Sequence, residues 1–342
     1  MIAALTNLLL PSIESELKRQ ISRLDQPLTK DFYEMLTYHM GWTGEDAGQE
    51  AQGKRIRPLL LLLTCASTSG ITTLDHPLGT ALPAAACIEL IHNFSLVHDD
   101  IQDRSETRRG RPTVWRKWGE AQAINVGDAL FVLAHLALGE LEGIFPPEVI
   151  LKGSGVIHNT CLDLTRGQYL DIAYEMQSDL TIESYWPMIA GKTAALLSAC
   201  THIGALLGNA DEDLLTAYKD FGHYLGLAFQ IQDDFLGIWG DVMLSGKSNK
   251  SDLTSGKKSL PVLYGLSRKG AFAQRWMQAK IAPAEVPVLA EQLAREGAKT
   301  FTQETADQMM NLATRSLRLA DPQGEAGEAL FELTHKLLGR GS

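Results

Sequence analysis

The chain has 342 residues, 45% of them hydrophobic, and a formal net charge of −10 at pH 7. This length is enough for one large domain or two ordinary ones. The acidic balance argues against non-specific nucleic-acid binding, which depends on basic surfaces. No uninterrupted apolar run reaches the roughly 18 residues of a membrane-spanning helix, so we expect no integral membrane association. The four cysteines are scattered without a C-x-x-C pair, which favours buried thiols in a reducing cytoplasm over disulfides or a zinc site.

Helical spacing of apolar residues dominates the chain from its first segment, where "MIAALTNLLLP" continues into "SIESELKRQISRL" as an amphipathic helix. Glycine and proline separate the segments, and the sequence shows no alternating strands joined by tight turns. The pattern predicts helices over residues 2–23, 31–40, 56–69, 78–103, 119–142, 147–175, 182–208, 212–239, 258–269, 285–296, 300–320 and 325–338. No segment has the composition of a linker. The sequence therefore predicts one all-α domain over residues 1–342, a bundle of about ten or more helices.

Two acidic motifs end two of the apolar helical segments. The first is "LVHDDIQD", with Asp99, Asp100 and Asp103, and the second is "AFQIQDDFLGIWGD", with Asp233. Asp99 and Asp103 lie at i and i+4 on one helix face, where like charges repel unless something neutralises them. Carboxylates suit magnesium, which often binds substrate phosphates at the same time. Either motif alone is typical of a solvated helix end, but the two together favour a facing pair of metal sites.

Basic side chains cluster at the turns near these motifs. Magnesium held by a few carboxylates needs an anionic partner, and Arg108 and Arg109 could clamp diphosphate oxygens through charge-assisted bonds. Any single surface lysine or arginine is more often solvated than functional, so only the whole set is persuasive. The other cations of "GKRIRP", "AGKTAAL" and "LSGKSNKSDLTSGKKSLP" are Lys54, Arg55, Arg57, Lys192, Lys247, Lys250, Lys257 and Lys258.

Eight blocks of the chain resemble, in the same order, those of the trans-type isoprenyl diphosphate synthases, or polyprenyl synthetases. They are "GKRIRP", "ELIHNFSLVHDDIQD", "RRGRPT", "NVGDALF", "RGQYLDI", "GKTAAL", "LGLAFQIQDDFLGIWGD" and "GKSNKSDLTSGKKSLP". One DDxxD pattern is weak, but eight ordered blocks over nearly the whole chain are highly specific. The resemblance implies the isoprenoid synthase fold with a deep central cavity, and a prenyltransferase. It also implies a homodimer, for which the apolar helix 119–142 is a candidate interface; simple burial of that helix is equally compatible with the sequence.

The resemblance further implies a role for each matching residue. The substrates would be isopentenyl diphosphate and an allylic diphosphate (dimethylallyl, geranyl or farnesyl), with three Mg²⁺ ions per active site. Gln168 and Asp171 of the "GQxxD" block would support the ligands from behind. The implied ligands are Asp99, Asp100, Asp103 and Asp233 for magnesium; Lys54, Arg57, His92 and Arg109 for isopentenyl diphosphate; Arg108, Lys192, Lys247 and Lys257 for the allylic diphosphate; and Thr193 and Gln230 for the developing carbocation.

These charges suit a reaction that begins with ionisation. Magnesium and cations would withdraw electron density from the allylic diphosphate, so that its C–O bond breaks to give an allylic cation. The alkene of isopentenyl diphosphate would attack this cation, and a proton would pass to the released diphosphate. Apolar walls would keep water away. The sequence offers no convincing protein nucleophile, and the mechanism needs none.

Two positions depart from the family pattern. Gly237 stands where the second motif usually has its last aspartate, and Asp241 could act there through water. Trp115 in "PTVW" replaces the usual histidine of "PTxH", and the sequence does not indicate its role.

Two alternative functions remain. A terpene cyclase on the same fold needs no isopentenyl site, so Lys54, Arg57, His92 and Arg109 argue against it. A catalytically silent partner subunit should have eroded aspartates or arginines, and only Gly237 points that way.

Product length depends on the residues that precede the first acidic motif. Ser95 lies one turn and Ile91 two turns before Asp99, at about 1.5 Å per residue, so both should border the channel for the growing tail. Ser95 is too small to stop a chain, whereas Phe94 and Ile91 are bulky enough to help form a floor. An aromatic residue five positions before a short DDxxD resembles family members with fifteen- to twenty-carbon products. We therefore expect geranylgeranyl diphosphate first and farnesyl diphosphate second.

Overall fold

The structure is a computed structural model that describes residues 1–69, 77–240 and 252–338. Lys247, Lys250 and Asp241 lie outside these residues. The helices in the first half of the chain are Ile2–Ile21 (α1), Lys30–His39 (α2), Gln49–Gln52 (α3), Ile56–Ser69 (α4), Leu82–Gln102 (α5), Val114–Trp118 (α6), Glu120–Gly139 (α7) and Pro147–Met176 (α8). The later helices are Ile182–Ile189 (α9), Ala195–Leu207 (α10), Glu212–Trp239 (α11), Asp252–Ser255 (α12), Leu260–Ser267 (α13), Ala271–Trp276 (α14), Val286–Arg295 (α15), Ala298–Leu319 (α16) and Gly324–Leu338 (α17).

The all-α prediction is confirmed, and each predicted segment corresponds to helix in the structure. The pattern missed the short helices α3, α6, α12 and α14, which are too short to show a periodic apolar face. It also missed a two-stranded hairpin, Thr107–Arg108 (β1) and Arg111–Pro112 (β2). Both turn residues, Arg109 and Gly110, have positive φ (52° and 76°), which a tight hairpin turn requires. An arginine there lacks the Asn-Gly or Asp-Gly signature, so the turn was not predictable from composition.

Contacts group the described residues into two compact units. The first consists of Met1–Ile157, Cys200–Leu215 and Asp321–Leu330, and the second of His158–Ala199, Thr216–Ala320 and Phe331–Ser342. The single domain over residues 1–342 that the sequence suggests stays a prediction.

Helix α5 is the central helix of the first unit, where it packs against α1, α4 and α7. Apolar residues surround much of its circumference, as expected for a helix buried on several sides, and Ala85, Cys87 and Ile88 are fully buried. Its contact with α7 is close because Gly127 has no side chain: a Cβ there would lie 2.2 Å from Nε2 of His98. The packing fixes the end of α5 that contains the first acidic motif.

The second unit has two apolar clusters. One includes Tyr185 and Ile189 around the end of α9, together with Ile231 of α11 and Leu260 of α13. The other surrounds Phe272 of α14. The first cluster adjoins the second acidic motif, so the position of that motif is set by buried side chains.

Three helical stretches in the described part of the chain are long and apolar enough, by length and composition alone, to cross a membrane: Leu78–Gln102, Glu120–Gly139 and Ile182–Leu207. None of the three is an uninterrupted apolar run, because polar residues interrupt each stretch. The structure buries 67% and 72% of the apolar windows in the first and third, but only 44% in the second. The first and third are therefore core helices, whereas the second keeps a large apolar surface exposed.

Candidate active site

The structure distributes the predicted site residues over both units. The first unit contains Lys54, Arg57, Ile91, His92, Phe94, Ser95, Asp99, Asp100, Asp103, Arg108 and Arg109. The second contains Lys192, Thr193, Gln230, Asp233 and Lys257, and Lys247 lies outside the described residues.

The first acidic motif forms the last turn of α5. The backbone N–H of Asp103 donates to the carbonyl of Asp99 at 2.8 Å, so the two residues have the helical i, i+4 relation that the sequence predicted. Asp103 is exposed and Asp99 is partly buried. Their carboxylates therefore lie near one edge of a helix end that solvent can reach.

Asp100, on a different face of the same turn, is only 2% exposed. The guanidinium of Arg108, on β1, donates from Nε to both carboxylate oxygens at 2.9 Å, and its Nη2 lies 2.8 Å from Oδ1. Burial raises the pKa of Asp100, and the hydrogen bonds and charge of Arg108 oppose the rise. This ion pair anchors the hairpin to the end of α5. A direct magnesium contact for Asp100 stays a prediction.

Arg109 ties the hairpin turn to the "GKRIRP" segment. Its Nη1 donates to the carbonyls of Ala51 and Gln52 at 2.8 and 2.7 Å. The guanidinium lies so close over Gly53 that a Cβ there would be 2.7 Å from its Cζ, and Gly53 has φ of +78°. Two constraints, space and backbone conformation, therefore require glycine at this position.

Arg57 and His92, from α4 and α5, form a hydrogen-bonded pair. Nη1 of Arg57 lies 3.2 Å from Nε2 of His92, and arginine can only donate, so the imidazole nitrogen accepts and the ring is neutral. Burial and the positive charges of Arg57 and Arg109 lower the pKa of His92 well below its usual value. The pair thus presents a cation beside an uncharged histidine.

Mutually repelling cations make this region of the first unit receptive to an anion. Partial burial and the nearby charges, first that of Arg55, lower the pKa of Arg109 to about 10. Burial and the charges of Arg109 and Arg108 likewise lower the pKa of His39 to about 3. Because each cation raises the electrostatic cost of the others, a bound diphosphate would relieve that cost.

Arg55 has a different role from the neighbouring cations, and the sequence did not distinguish it from them. Its side chain is fully buried and pairs with Glu14 of α1 at 2.6 Å and Glu89 of α5 at 2.8 Å. A third bond, at 3.2 Å, goes to the carbonyl of Met40. Arg55 therefore forms buried ion pairs within the first unit and has a structural role. No signal in a single sequence separates it from Lys54 or Arg57.

In the second unit, two glycines allow α8 to approach the turn of π-helix at Ala190–Ala194. A Cβ on Gly167 would lie 2.1 Å from the backbone nitrogen of Lys192, and a Cβ on Gly191 would lie 2.6 Å from the carbonyl of Asp163. Such widened turns recur at functional sites. The close crossing brings Nζ of Lys192 to 2.5 Å from Oδ2 of Asp171, which was expected only to support the ligands.

A second close approach brings α11 against the same π-helical turn. A Cβ on Gly226 would lie 2.5 Å from Cα of Ala194. One helical turn later, Gln230 accepts a hydrogen bond from the hydroxyl of Thr193 at 2.7 Å. The two residues that the resemblance assigned to the carbocation are thus direct partners.

The two adjacent aspartates of the second motif have different surroundings. Asp234 is 1% exposed and lies 3.6 Å from Nζ of Lys257, whereas Asp233 is partly exposed. Burial tends to lower the pKa of Lys257, but the charges of Asp234, Asp252, Asp171 and Asp233 outweigh it, and the pKa is raised. Lys257 is therefore a firmly charged lysine among four carboxylates.

The missing last aspartate of the second motif has a structural counterpart. The carboxylate of Asp252, on α12, lies against Gly237: a Cβ on Gly237 would be 2.6 Å from its Oδ2 and 2.8 Å from its Cγ. The side chain of another residue therefore occupies the space beside position 237. This contact was not predictable from the sequence, because the two residues belong to separate helices.

The three residues considered for product length lie on α5 as predicted. Ile91 is fully buried, and the hydroxyl of Ser95 donates to the carbonyl of His92 at 2.8 Å. The ring of Phe94 packs against Phe131, with centroids 5.1 Å apart. The hydroxyl of Ser95 is therefore hydrogen-bonded to the backbone of its own helix. The floor of the channel stays a prediction.

Trp115, whose role the sequence left open, supports the loop after the first motif. Its indole Nε1 donates to the carbonyl of Ser105 at 2.8 Å, and Arg104 lies over its ring at 5.9 Å. The residue fixes the backbone between α5 and α6.

The carboxylates fit magnesium if substrate oxygens complete its coordination. Among the described residues, no group of three or more His, Cys, Asp or Glu side chains is placed to hold a metal. Asp99 and Asp103 supply two oxygen donors on one edge, and magnesium is commonly bound by one or two carboxylates together with substrate phosphates and waters. The donor set therefore favours a hard cation that arrives with a diphosphate.

Comparisons with known proteins agree with this chemistry. The sequence profile described as "Polyprenyl synthetase" matches residues 46–291. The chain is 40% identical over 270 residues to a geranylgeranyl diphosphate synthase of Mycobacterium tuberculosis, covering 78% of this chain and 73% of the relative. It is 40% identical over 268 residues to a (2E,6E)-farnesyl diphosphate synthase of Mycobacterium bovis, covering 77% and 70%. The crystal structure of a geranylgeranyl pyrophosphate synthetase from Pyrococcus horikoshii superposes with a TM-score of 0.87 at 33% identity, covering 99% of this chain and 98% of that one.

Proposed function

Because the chain belongs to the polyprenyl synthetase family and is a short-chain isoprenyl diphosphate synthase, we propose that it adds isopentenyl units head-to-tail and stops at geranylgeranyl diphosphate. Membership confirms the resemblance that the eight sequence blocks indicated. One observation carries the mechanistic proposal: in the first unit, an aspartate pair at the end of α5 lies in the same region as a group of arginines and a neutral histidine. That combination suits diphosphates and a hard metal ion.

In this proposal the carboxylates bind the metal ions. Asp99, Asp103 and Asp233 would hold magnesium, with Asp100 as a further candidate ligand that also orients Arg108. When bound, the ions would neutralise the diphosphate and favour its departure. We propose three ions per active site.

The basic side chains would bind the diphosphate groups of the two substrates. Lys54, Arg57, His92 and Arg109 would bind isopentenyl diphosphate and hold its alkene in place. The allylic substrate in this proposal is dimethylallyl, geranyl or farnesyl diphosphate. Electrostatic stabilisation of its departing diphosphate is the largest expected contribution to catalysis. Its ligands in this proposal are Arg108, Lys192, Lys247 and Lys257.

The carbon–carbon bond forms without a protein nucleophile. The allylic C–O bond breaks, the isopentenyl alkene attacks the allylic cation, and a proton leaves the adduct for the released diphosphate. Thr193 and Gln230, which are hydrogen-bonded to each other, would face the positive charge. Each cycle thus lengthens the chain by five carbons and leaves the protein unchanged.

Product length rests on α5. In this proposal Ser95 would leave the first turn behind the metal site open, and Ile91 and Phe94 would supply bulk farther along the helix. Two relatives bear the names geranylgeranyl and farnesyl diphosphate synthase, which agrees with a short product. We place the twenty-carbon product first and the fifteen-carbon product second.

The experiment is a turnover assay with magnesium, radiolabelled isopentenyl diphosphate and each allylic primer, with products separated by chain length. We expect a dominant twenty-carbon diphosphate. Cyclised hydrocarbon would indicate a terpene cyclase, absence of turnover would indicate a silent partner subunit, and longer or fifteen-carbon diphosphates would contradict the product assignment. Asp99→Ala should lose about a thousandfold or more in rate. Glu106→Ala, at an exposed acid a few residues later, is the matched control and should retain activity.

We also propose that the chain forms a homodimer through α7. Ile124, Val132 and Leu136 are exposed by 46%, 54% and 47% and lie on one side of this helix, where they can form the contiguous apolar patch that is typical of a protein–protein interface. Analytical ultracentrifugation at micromolar concentration should show a dimer that Val132→Glu weakens. A monomer for the unaltered chain would exclude this interface.

A further inference from the structure

A hydrogen-bonded chain in the second unit leads to a carboxylate with almost no exposed surface. Asp234 accepts from the Tyr185 hydroxyl at 2.7 Å and from the backbone N–H of Leu260 at 3.1 Å, both at Oδ2. At Oδ1 it accepts from Nε2 of Gln230 at 2.9 Å, with Nζ of Lys257 at 3.6 Å. Three donors and one cation therefore surround its two oxygens. Both oxygens of Asp234 thus act as hydrogen-bond acceptors.

The carboxylate of Asp234, with donors on both oxygens, determines which way the amide of Gln230 points. A carboxylate can only accept hydrogen bonds, so the Gln230 atom that faces Asp234 must be the NH₂ group. The amide oxygen then faces Thr193, 2.7 Å from its hydroxyl. A carbonyl oxygen also only accepts, so Thr193 must donate its single proton to Gln230. The hydroxyl oxygen of Thr193 is left with lone pairs for any other group that approaches it.

The hydroxyl of Tyr185 helps to maintain this direction of hydrogen bonding. Burial and the neighbouring charge of Asp234 raise the pKa of Tyr185 well above its usual value, so the phenol keeps its proton and donates to the carboxylate. The ring is fully buried in the apolar cluster of the second unit, which prevents it from turning away.

We propose that Asp234 and Tyr185 are positioning residues that set the direction of hydrogen bonding through Gln230, so that Thr193 presents lone pairs to the developing allylic cation. The inference rests on the proposed function, in which Thr193 faces that cation. In this arrangement Asp233 belongs to the metal site and its neighbour Asp234 does not. A preorganised oxygen dipole stabilises positive charge without having to reorient during the reaction, whereas a hydroxyl proton turned toward the cation would oppose it.

The decisive variant is Asp234→Asn, which keeps the size of the side chain but supplies an NH₂ donor. That donor can face the oxygen of Gln230, which lets the Gln230 amide turn over and donate to Thr193. The Thr193 proton would then point away from Gln230. We expect kcat to fall about a hundredfold, the order seen when one preorganised donor is lost, with KM for both diphosphates within about threefold of the unaltered protein.

A double-mutant cycle separates positioning from a general structural role. In a Thr193→Val background there is no hydroxyl to reverse, so Asp234→Asn should lower kcat by less than about threefold further. Tyr185→Phe keeps the carboxylate but removes one donor that holds it in place, so it should weaken the preferred direction and lower kcat severalfold. If Asp234→Asn does not fold, judged by circular dichroism and urea midpoint, the same cycle with Tyr185→Phe must show this coupling to Thr193→Val.

Magnesium dependence provides the second measurement. The magnesium concentration for half-maximal rate should rise in Asp233→Asn and stay unchanged in Asp234→Asn. Independent, multiplicative losses of kcat in the cycle, or an equal rise in magnesium requirement for both aspartate variants, would overturn the inference. An unaltered protein that makes no prenyl diphosphate would instead overturn the proposed function itself.

Discussion

Replacing Gly237 by aspartate would complete the DDxxD spacing of the second motif, yet the structure predicts a loss of stability. The carboxylate of Asp252 already lies beside Gly237. A Cβ at position 237 would be 2.6 Å from Oδ2, 2.8 Å from Cγ and 3.0 Å from Oδ1 of Asp252. All three distances are shorter than an ordinary carbon contact, so Asp252 must move before any side chain can fit.

The expected magnitude has a steric and an electrostatic part. Forcing extra atoms into occupied space costs roughly 1–3 kcal/mol. Two carboxylates about 4 Å apart repel by about 4 kcal/mol at an effective dielectric constant near 20. Both positions are partly exposed, and the ammonium of Lys257 attracts both carboxylates, so only part of that repulsion should remain. We expect Gly237→Asp to lower the free energy of unfolding by about 2–4 kcal/mol.

Urea unfolding followed by circular dichroism, in EDTA to remove divalent ions, measures this loss. Gly237→Asn has the size of aspartate without its charge, and should lose only the steric part. The double variant Gly237→Asp/Asp252→Gly transfers the carboxylate from one residue to the other and should recover most of the stability. Comparison of these three proteins separates the steric cost from the electrostatic cost.

The reasoning would be refuted by a Gly237→Asp protein as stable as the unaltered chain in EDTA. It would also be refuted if Gly237→Asn and Gly237→Asp lost the same amount, because the charge of Asp252 would then have no effect.

Three further predictions concern substrates, product and pH. Arg57→Ala should mainly raise KM for isopentenyl diphosphate, and Lys192→Ala should mainly lower kcat; steady-state kinetics in which both variants affect both substrates alike would contradict the assignments. Ser95→Phe should shorten the product and Phe94→Ala should lengthen it, as seen by chromatography; an unchanged distribution for both would place the channel floor elsewhere. The pKa of His39 in the folded chain, about 3, lies below its ordinary value of 6.5, so the unfolded chain binds the proton first. Stability from this residue is therefore complete above pH 6.5 and falls by about 1.4 kcal/mol per pH unit below it. His39→Asn should flatten urea midpoints between pH 6.5 and 5, and an unchanged slope would contradict the burial of a neutral imidazole.

The long helices were predictable because each carries several turns of apolar periodicity. Helix α11 begins and ends where the pattern placed it, and the i, i+4 relation of Asp99 and Asp103 followed directly from helical geometry. The pairing of Thr193 with Gln230 also agreed with their common assignment to the carbocation. The apolar periodicity thus predicted the long helices, and the matching motifs predicted many of the candidate site residues.

Contacts between distant segments were not predictable from one sequence. Nothing in "GKRIRP" distinguishes Arg55, which forms a buried ion pair with Glu14, from Arg57, which contacts His92. Nothing in the adjacent pair Asp233 and Asp234 shows that only the second is buried among donors. Burial and partner identity arise from packing of helices that are far apart in the chain, and they decide what each charged residue does.

The ion pair between Glu14 and Arg55 makes the beginning of the chain part of the interior. Glu14 also accepts a hydrogen bond from the indole of Trp42 at 2.7 Å, so α1 is held at two points. Proteolytic trimming that stops before Glu14 would remove the buried side chains of Ile2, Leu5, Leu9 and Ile13. Trimming past Glu14 would also leave the buried guanidinium with Glu89 as its remaining counter-ion. Removing one partner of a buried charge pair typically costs about 3–5 kcal/mol, a large share of the stability of a folded chain. A series of progressively shortened chains should therefore lose stability with each buried apolar residue of α1, and a further drop should follow when Glu14 is removed.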